Sequence, residues 1–132
     1  VSVEVSIVIP NLNSPVIDRV LAAVRGQAFD LSRVEVLVAG RDEPGLVVED
    51  GLVHFLESEG PLTPAQARNW GLAASRGQIV VFLDADCIPE ADWLAQLLAP
   101  FAAPDVHVVG GSMALTGAGF WTLADNVATF HQ

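Results

Sequence analysis

Residues 79–86 read Ile-Val-Val-Phe-Leu-Asp-Ala-Asp: an apolar run that stops at two carboxylates two positions apart. A run of this length and composition predicts a strand buried on both faces, the kind found in parallel sheets. In open α/β sheets ligands bind beyond the carboxyl ends of the strands, where Asp84 and Asp86 fall. If the chain stays extended there, positions i and i+2 point the same way, and two like charges so placed repel. A divalent cation relieves that repulsion. The ligand expected here is therefore a metal carrying something anionic, such as a diphosphate.

The rest of the chain alternates strand and helix signals. Strands are predicted at 3–9, with Pro10 as their stop, and at 34–39, 52–56, 78–83 and 106–110. Ser14 and Pro15 read as N-cap and first residue of a helix, with Val16, Ile17, Val20, Leu21 and Val24 at helical spacing before Gly26. Thr63-Pro64-Ala65-Gln66 has the form of a capping box, opening a helix that runs to about Ser75. Pro89 opens another, with Trp93, Leu94, Leu97, Leu98 and Phe101 on one face. Residues 40–51 read as a loop and the acidic stretch 43–59 as a solvated face. The alternation predicts an α/β fold: a mostly parallel sheet with helices on both faces. In the tail, Phe120, Trp121, Leu123, Ala124, Val127 and Phe130 form a helix-like apolar stripe. Such a stripe normally packs on something, and a homodimer through this tail is one expectation.

Composition excludes several functions. Acidic residues number 16 and basic residues 6, for a net charge of −10. That argues against nucleic acid and anionic membrane surfaces as partners. All basic residues are Arg, and the absence of Lys excludes a P-loop and Schiff-base chemistry. It also counts against a receiver-like signalling domain, which needs a Lys at a later strand end. Cys87 is the single cysteine, so no internal disulfide forms; a small buried filler is the expectation for it, and a reducing, cytoplasmic setting fits. No leader segment and no membrane span is visible in the sequence; segments outside it could still bring membrane association. His54, His107 and His131 lack metal-ligand spacing and read as structural or surface residues.

Four ordered segments carry a family resemblance. Asp84-Ala85-Asp86 resembles the DxD motif of nucleotide-sugar glycosyltransferases with the GT-A fold. Ala67-Arg68-Asn69-x-Gly71-Leu72-Ala73-x-x-x-Gly77 is similar to the segment before it in the inverting family 2. Val5-Ser6-Ile7-Val8-Ile9-Pro10-Asn11-Leu12-Asn13 resembles that family's first strand and donor loop, and Pro89-x-x-Asp92-Trp93-Leu94 fits the segment after the motif. The match runs from about residue 5 to about residue 115.

The resemblance implies a GT-A, Rossmann-like sheet and a reaction. A sugar passes with inversion from a nucleotide-diphosphate donor to a carbohydrate, lipid or other hydroxyl acceptor, with Mn²⁺ or Mg²⁺ as cofactor. It implies that Asp86, with Asp84, binds the metal. It implies that Pro10, Asn11, Asn13, Arg68, Asp84 and Asp86 hold the nucleotide-sugar. At 132 residues the chain is shorter than a complete catalytic domain of this kind. Residues 1–115 are expected to be the nucleotide-sugar-binding half, and 116–132 the truncated start of the acceptor side. The catalytic base is then expected outside this chain, leaving the fragment alone inactive; Asp125 lacks the context for that role.

The chain departs from the family pattern in two places. Leu12 stands where an aromatic is usual, and Ala39-Gly40 stand where the family carries two aspartates, one of which reads the nucleobase. Either Asp42 substitutes for it, or the base differs, or donor binding is lost. The last case is the alternative reading: a non-catalytic GT-A-like protein with a degenerate donor site.

Overall fold

The computed structural model describes residues 2–114. The apolar stripe of the tail, Asp125 and His131 lie outside them. The described residues fall into two compact units divided between Ala95 and Gln96.

In the first unit four parallel strands form one sheet: β1 (Val5–Leu12), β2 (Val34–Arg41), β3 (Val53–Glu57) and β4 (Ile79–Phe82). Their order is β3-β2-β1-β4. Helix α1 (Ile17–Arg25) connects β1 to β2, and α2 (Pro64–Ala74) connects β3 to β4. These two crossovers step across the sheet in opposite directions, so right-handed connections place their helices on opposite faces. Ile7, Val8 and Ile9 of β1 and Val36 and Val38 of β2 are fully buried, as are Ile17, Val20, Leu21 and Val24 of α1. Burial on both faces explains the apolar runs of β1 and β2. Strand β4 is not buried on both faces as its sequence predicts: it is the edge strand among the described residues, and Phe82 is 48% exposed.

Three local differences from the sequence expectations have physical causes. Pro10 does not stop β1, which continues through it to Leu12. Along β1 the even-numbered residues turn their backbone toward β4, as the Leu83 N–H to Val8 carbonyl bond shows. The β1–β4 ladder ends at Val8↔Phe82, so Pro10 lacks an N–H only where no ladder needs one. Helix α1 begins at Ile17 without a side-chain cap, and the Ser14 hydroxyl is used elsewhere. Helix α3 (Trp93–Leu98) begins well after Pro89 because the end of α1 holds the preceding segment. The Gln27 amide donates to the Glu90 carbonyl at 2.6 Å and accepts from Leu94 N–H at 2.9 Å, while Ala28 N–H donates to the Ala91 carbonyl at 2.7 Å.

The strand predicted at 106–110 does not form. Among the described residues it pairs with no other strand, and Val108 is 88% exposed. Alternating β-branched residues make a strand only against a partner edge.

Glu35 is an unanticipated feature of the core. Its side chain is buried on β2 at the register position opposite Ser6 of β1. The Ser6 hydroxyl donates to it at 2.6 Å, Arg76 N–H at 2.8 Å and the Arg76 guanidinium at 2.9 Å. Gly77 N–H donates to the Ser6 oxygen at 2.8 Å. Burial alone would raise the Glu35 pKa; these hydrogen bonds and the Arg76 charge outweigh it and hold the carboxyl below its ordinary value. The network fixes the turn that delivers β4. Gly77 is required there, since a Cβ would lie 2.6 Å from Ser6 N.

Candidate active site

The strand order reverses between β1 and β4, and the crevice at their carboxyl ends is the switch point where α/β sheets bind ligands. A cavity of about 430 Å³ lies there. Its polar wall comprises Asn11, Ser14, Arg68, Asp84 and Asp86, while Leu12, Pro15, Leu62 and Pro64 contribute apolar surface.

Arg68 reaches it because α2 is fixed at two points. The capping box forms, with Gln66 N–H donating to the Thr63 hydroxyl at 3.2 Å and Thr63 N–H donating to the Gln66 side chain at 3.0 Å. One turn on, Gly71 lets α2 sit directly on β1: a Cβ there would lie 2.3 Å from a Val8 methyl. Arg68, three residues before Gly71, is thereby placed over the strand ends. Its guanidinium donates to Asp84 Oδ1 at 2.9 Å, both side chains remaining partly exposed.

Past β4 the chain turns, with Cys87 N–H donating to the Asp84 carbonyl at 3.2 Å. Asp84, Asp86 and Cys87 offer ligand atoms that all lie within 4.8 Å of one another. Cys87 is therefore not the buried filler expected from the sequence; it is partly exposed, beside the carboxylates. Burial, and then the charges of Asp86 and Asp84, raise its pKa, so it stays a neutral thiol at neutral pH. The charged donors are carboxylate oxygens, which suit Mg²⁺ or Mn²⁺. The residues present fit such an ion.

Of the residues singled out from sequence, Pro10, Asn11, Arg68, Asp84 and Asp86 line the one cavity. Asn13 and Asp42 do not. Asn13 locks the loop after β1: it has φ +54°, its N–H donates to the Arg41 carbonyl at 3.0 Å, and its side chain accepts from Glu43 N–H at 2.8 Å. Asp42 Oδ2 accepts from Val47 N–H at 2.7 Å, and its buried Oδ1 has no hydrogen-bond partner among the described residues. Gly40 has φ +132°, and a Cβ there would lie 2.0 Å from the Asn11 carbonyl oxygen. No side chain fits at position 40 on this backbone.

The acidic loop after β2 is more than a solvated face. Asp50 accepts from Leu52 and Val53 N–H and pairs with Arg25, and Glu49 accepts from Phe55 N–H. Sequence reasoning also missed Ser14 as a bridge to Ala85: the hydroxyl reads equally well as a helix cap, and nothing local to Asn13-Ser14-Pro15 distinguishes the two.

A sequence profile for Glycosyl transferase family 2 matches residues 6–126. Glycosyltransferase AglE of Haloferax volcanii is 32% identical over 96% of this chain and 44% of its own length. The pre-mycofactocin glycosyltransferase of Mycobacterium tuberculosis is 35% identical over 80% of this chain and 23% of its own. The chain thus spans less than half the length of these curated relatives. The crystal structure of S. aureus TarS superposes with a TM-score of 0.60 at 19% identity, over 83% of this chain and 24% of that one, a likeness of fold.

Proposed function

The chain belongs to glycosyl transferase family 2, and from that membership we propose that it is the donor-binding half of a glycosyltransferase acting on a nucleotide-diphosphate sugar. The observation that supports this most is the convergence of Arg68, Asp84 and Asp86 with the Pro10–Asn11 loop in one cavity at the switch point. In this reading residues 1–115 hold the donor, and 116–132 begin the side that meets the acceptor hydroxyl.

Each residue has a role that its position supports. Asp86 and Asp84 would hold Mn²⁺ or Mg²⁺, which supplies neutralisation of the charge building on the leaving nucleotide. Arg68, already on Asp84, has further N–H donors for a phosphate oxygen. Pro10 and Asn11 form the floor against which the nucleoside lies, with the apolar surface of Leu12, Pro15 and Leu62 around it. Inversion requires a general base on the acceptor hydroxyl. No residue of this chain is assigned that role, so the fragment alone is proposed to be inactive.

The second reading, a family member with a degenerate donor site, is favoured by one observation. Gly40 stands where the family resemblance places an aspartate, and Asp42 is not among the residues that line the cavity but accepts from Val47 N–H instead. Calorimetric titration with UDP, GDP and dTDP, each with Mn²⁺ and with chelator, separates the two. Metal-dependent binding of one nucleotide supports the donor site and names its base. Absence of binding by both this chain and the full-length protein favours the degenerate site.

A further inference from the structure

Ser14 is buried at the start of the loop into α1, yet it caps no helix. Its hydroxyl donates to the Ala85 carbonyl at 2.7 Å, across 71 positions of sequence, and accepts from Val16 N–H at 3.3 Å. Ser14 N–H donates to Asn11 Oδ1 at 3.2 Å, and Asn11 Nδ2 donates to the Arg41 carbonyl at 2.8 Å. A continuous hydrogen-bonded line thus runs from the end of β2, through the loop after β1, to the peptide after β4. It ends on the residue between the two carboxylates. Fixing the Ala85 carbonyl fixes the backbone from which the Asp84 and Asp86 side chains both project.

We propose that Ser14 is a positioning residue that sets the aim of Asp84 and Asp86 relative to the nucleotide loop. The inference rests on the reading of these carboxylates as cation ligands. Groups that orient metal ligands from behind typically change metal affinity about 10- to 100-fold when removed. One hydrogen bond to a neighbouring carbonyl belongs at the lower end of that range.

The test compares this chain with its Ser14→Ala and Ser14→Thr variants by two readouts. Amide hydrogen exchange of metal-free protein follows the Cys87 N–H, with Val36 N–H in the core as control. Mn²⁺ uptake in the presence of UDP is followed by loss of the free-ion electron paramagnetic resonance signal. Ser14→Ala should speed exchange at Cys87, leave Val36 unchanged, and weaken Mn²⁺ about tenfold. Ser14→Thr, which keeps the hydroxyl, should bind Mn²⁺ more tightly than Ser14→Ala. Equal Mn²⁺ affinity in the parent chain and Ser14→Ala overturns the Ser14 assignment, whether or not exchange changes. A parent chain that takes up no Mn²⁺ overturns the cation reading beneath it, and the two failures are thereby told apart.

Discussion

The Arg68 guanidinium and the Asp84 carboxylate meet at 2.9 Å across the mouth of the cavity, joining α2 to the turn after β4. This pair presents a cation beside the acidic turn while leaving donors for an anionic ligand. Arg68→Ala should weaken nucleotide binding by ~1.5–3 kcal/mol, the range for hydrogen bonds to charged groups. Asp86→Ala should abolish metal-dependent binding without unfolding the domain. Calorimetry with Mn²⁺ and UDP, alongside circular dichroism, checks both; unchanged affinity in Asp86→Ala would remove the metal assignment.

Gly40→Asp, which supplies the aspartate that the family resemblance expects at this position, should not supply its chemistry. The backbone at +132° and the contact with the Asn11 carbonyl oppose any side chain. The strained conformation alone costs about 1–3 kcal/mol, and the clash adds to it. A lowered urea midpoint with no gain in UDP affinity is the expected result.

Gly71→Ala should destabilise the fold despite alanine's higher helix propensity. Propensity favours Ala by about 1 kcal/mol, whereas overpacking against Val8 costs about 1–3 kcal/mol. Gly71→Ala should cost less in a Val8→Ala background than in the parent chain, because the methyl it meets is gone. A double-mutant cycle in urea measures the coupling; additive effects would show that the two sites are not in contact.

Glu35 should make stability fall in acid. Its folded pKa lies below the ordinary 4.5, so it binds a proton more weakly folded than unfolded. Its contribution is therefore complete above about pH 4.5 and is lost as pH falls through the depressed folded value. Glu35→Ala should cost about 1–3 kcal/mol at neutral pH by leaving the Ser6 and Arg76 donors unpaired. It should also flatten the acid limb of stability against pH. Urea titrations between pH 3 and 7 test this.

The strand–helix alternation was legible because burial on both faces writes apolar runs such as Ile7–Ile9 and Val36–Ala39 into the chain, and Ile79–Phe82 carries the same pattern although Phe82 is 48% exposed. Asp84 and Asp86 were legible because a strand end fixes positions over a short span of sequence, whereas Arg68 was singled out by the family resemblance rather than by its place on the capped helix. What was not legible depends on distant partners. Ser14 reads as a cap until Ala85 is seen opposite it, and Gln27 as an ordinary helix end until residues 90–94 fold back on it. Glu35 looks out of place in β2 until register aligns it with Ser6. The strand predicted at 106–110 fails for the converse reason, since its pattern was local and its partner edge is not.

Pro10 gives the cavity a doorstop. Continuing the β1–β4 register by one step would require its amide to bond the Leu83 carbonyl, and proline has no hydrogen to offer. That rung is therefore denied to the two strands, and the cavity lined by Pro10 lies beyond the last paired residues, Val8 and Phe82. A residue with an N–H at position 10 would supply the donor that this further rung needs.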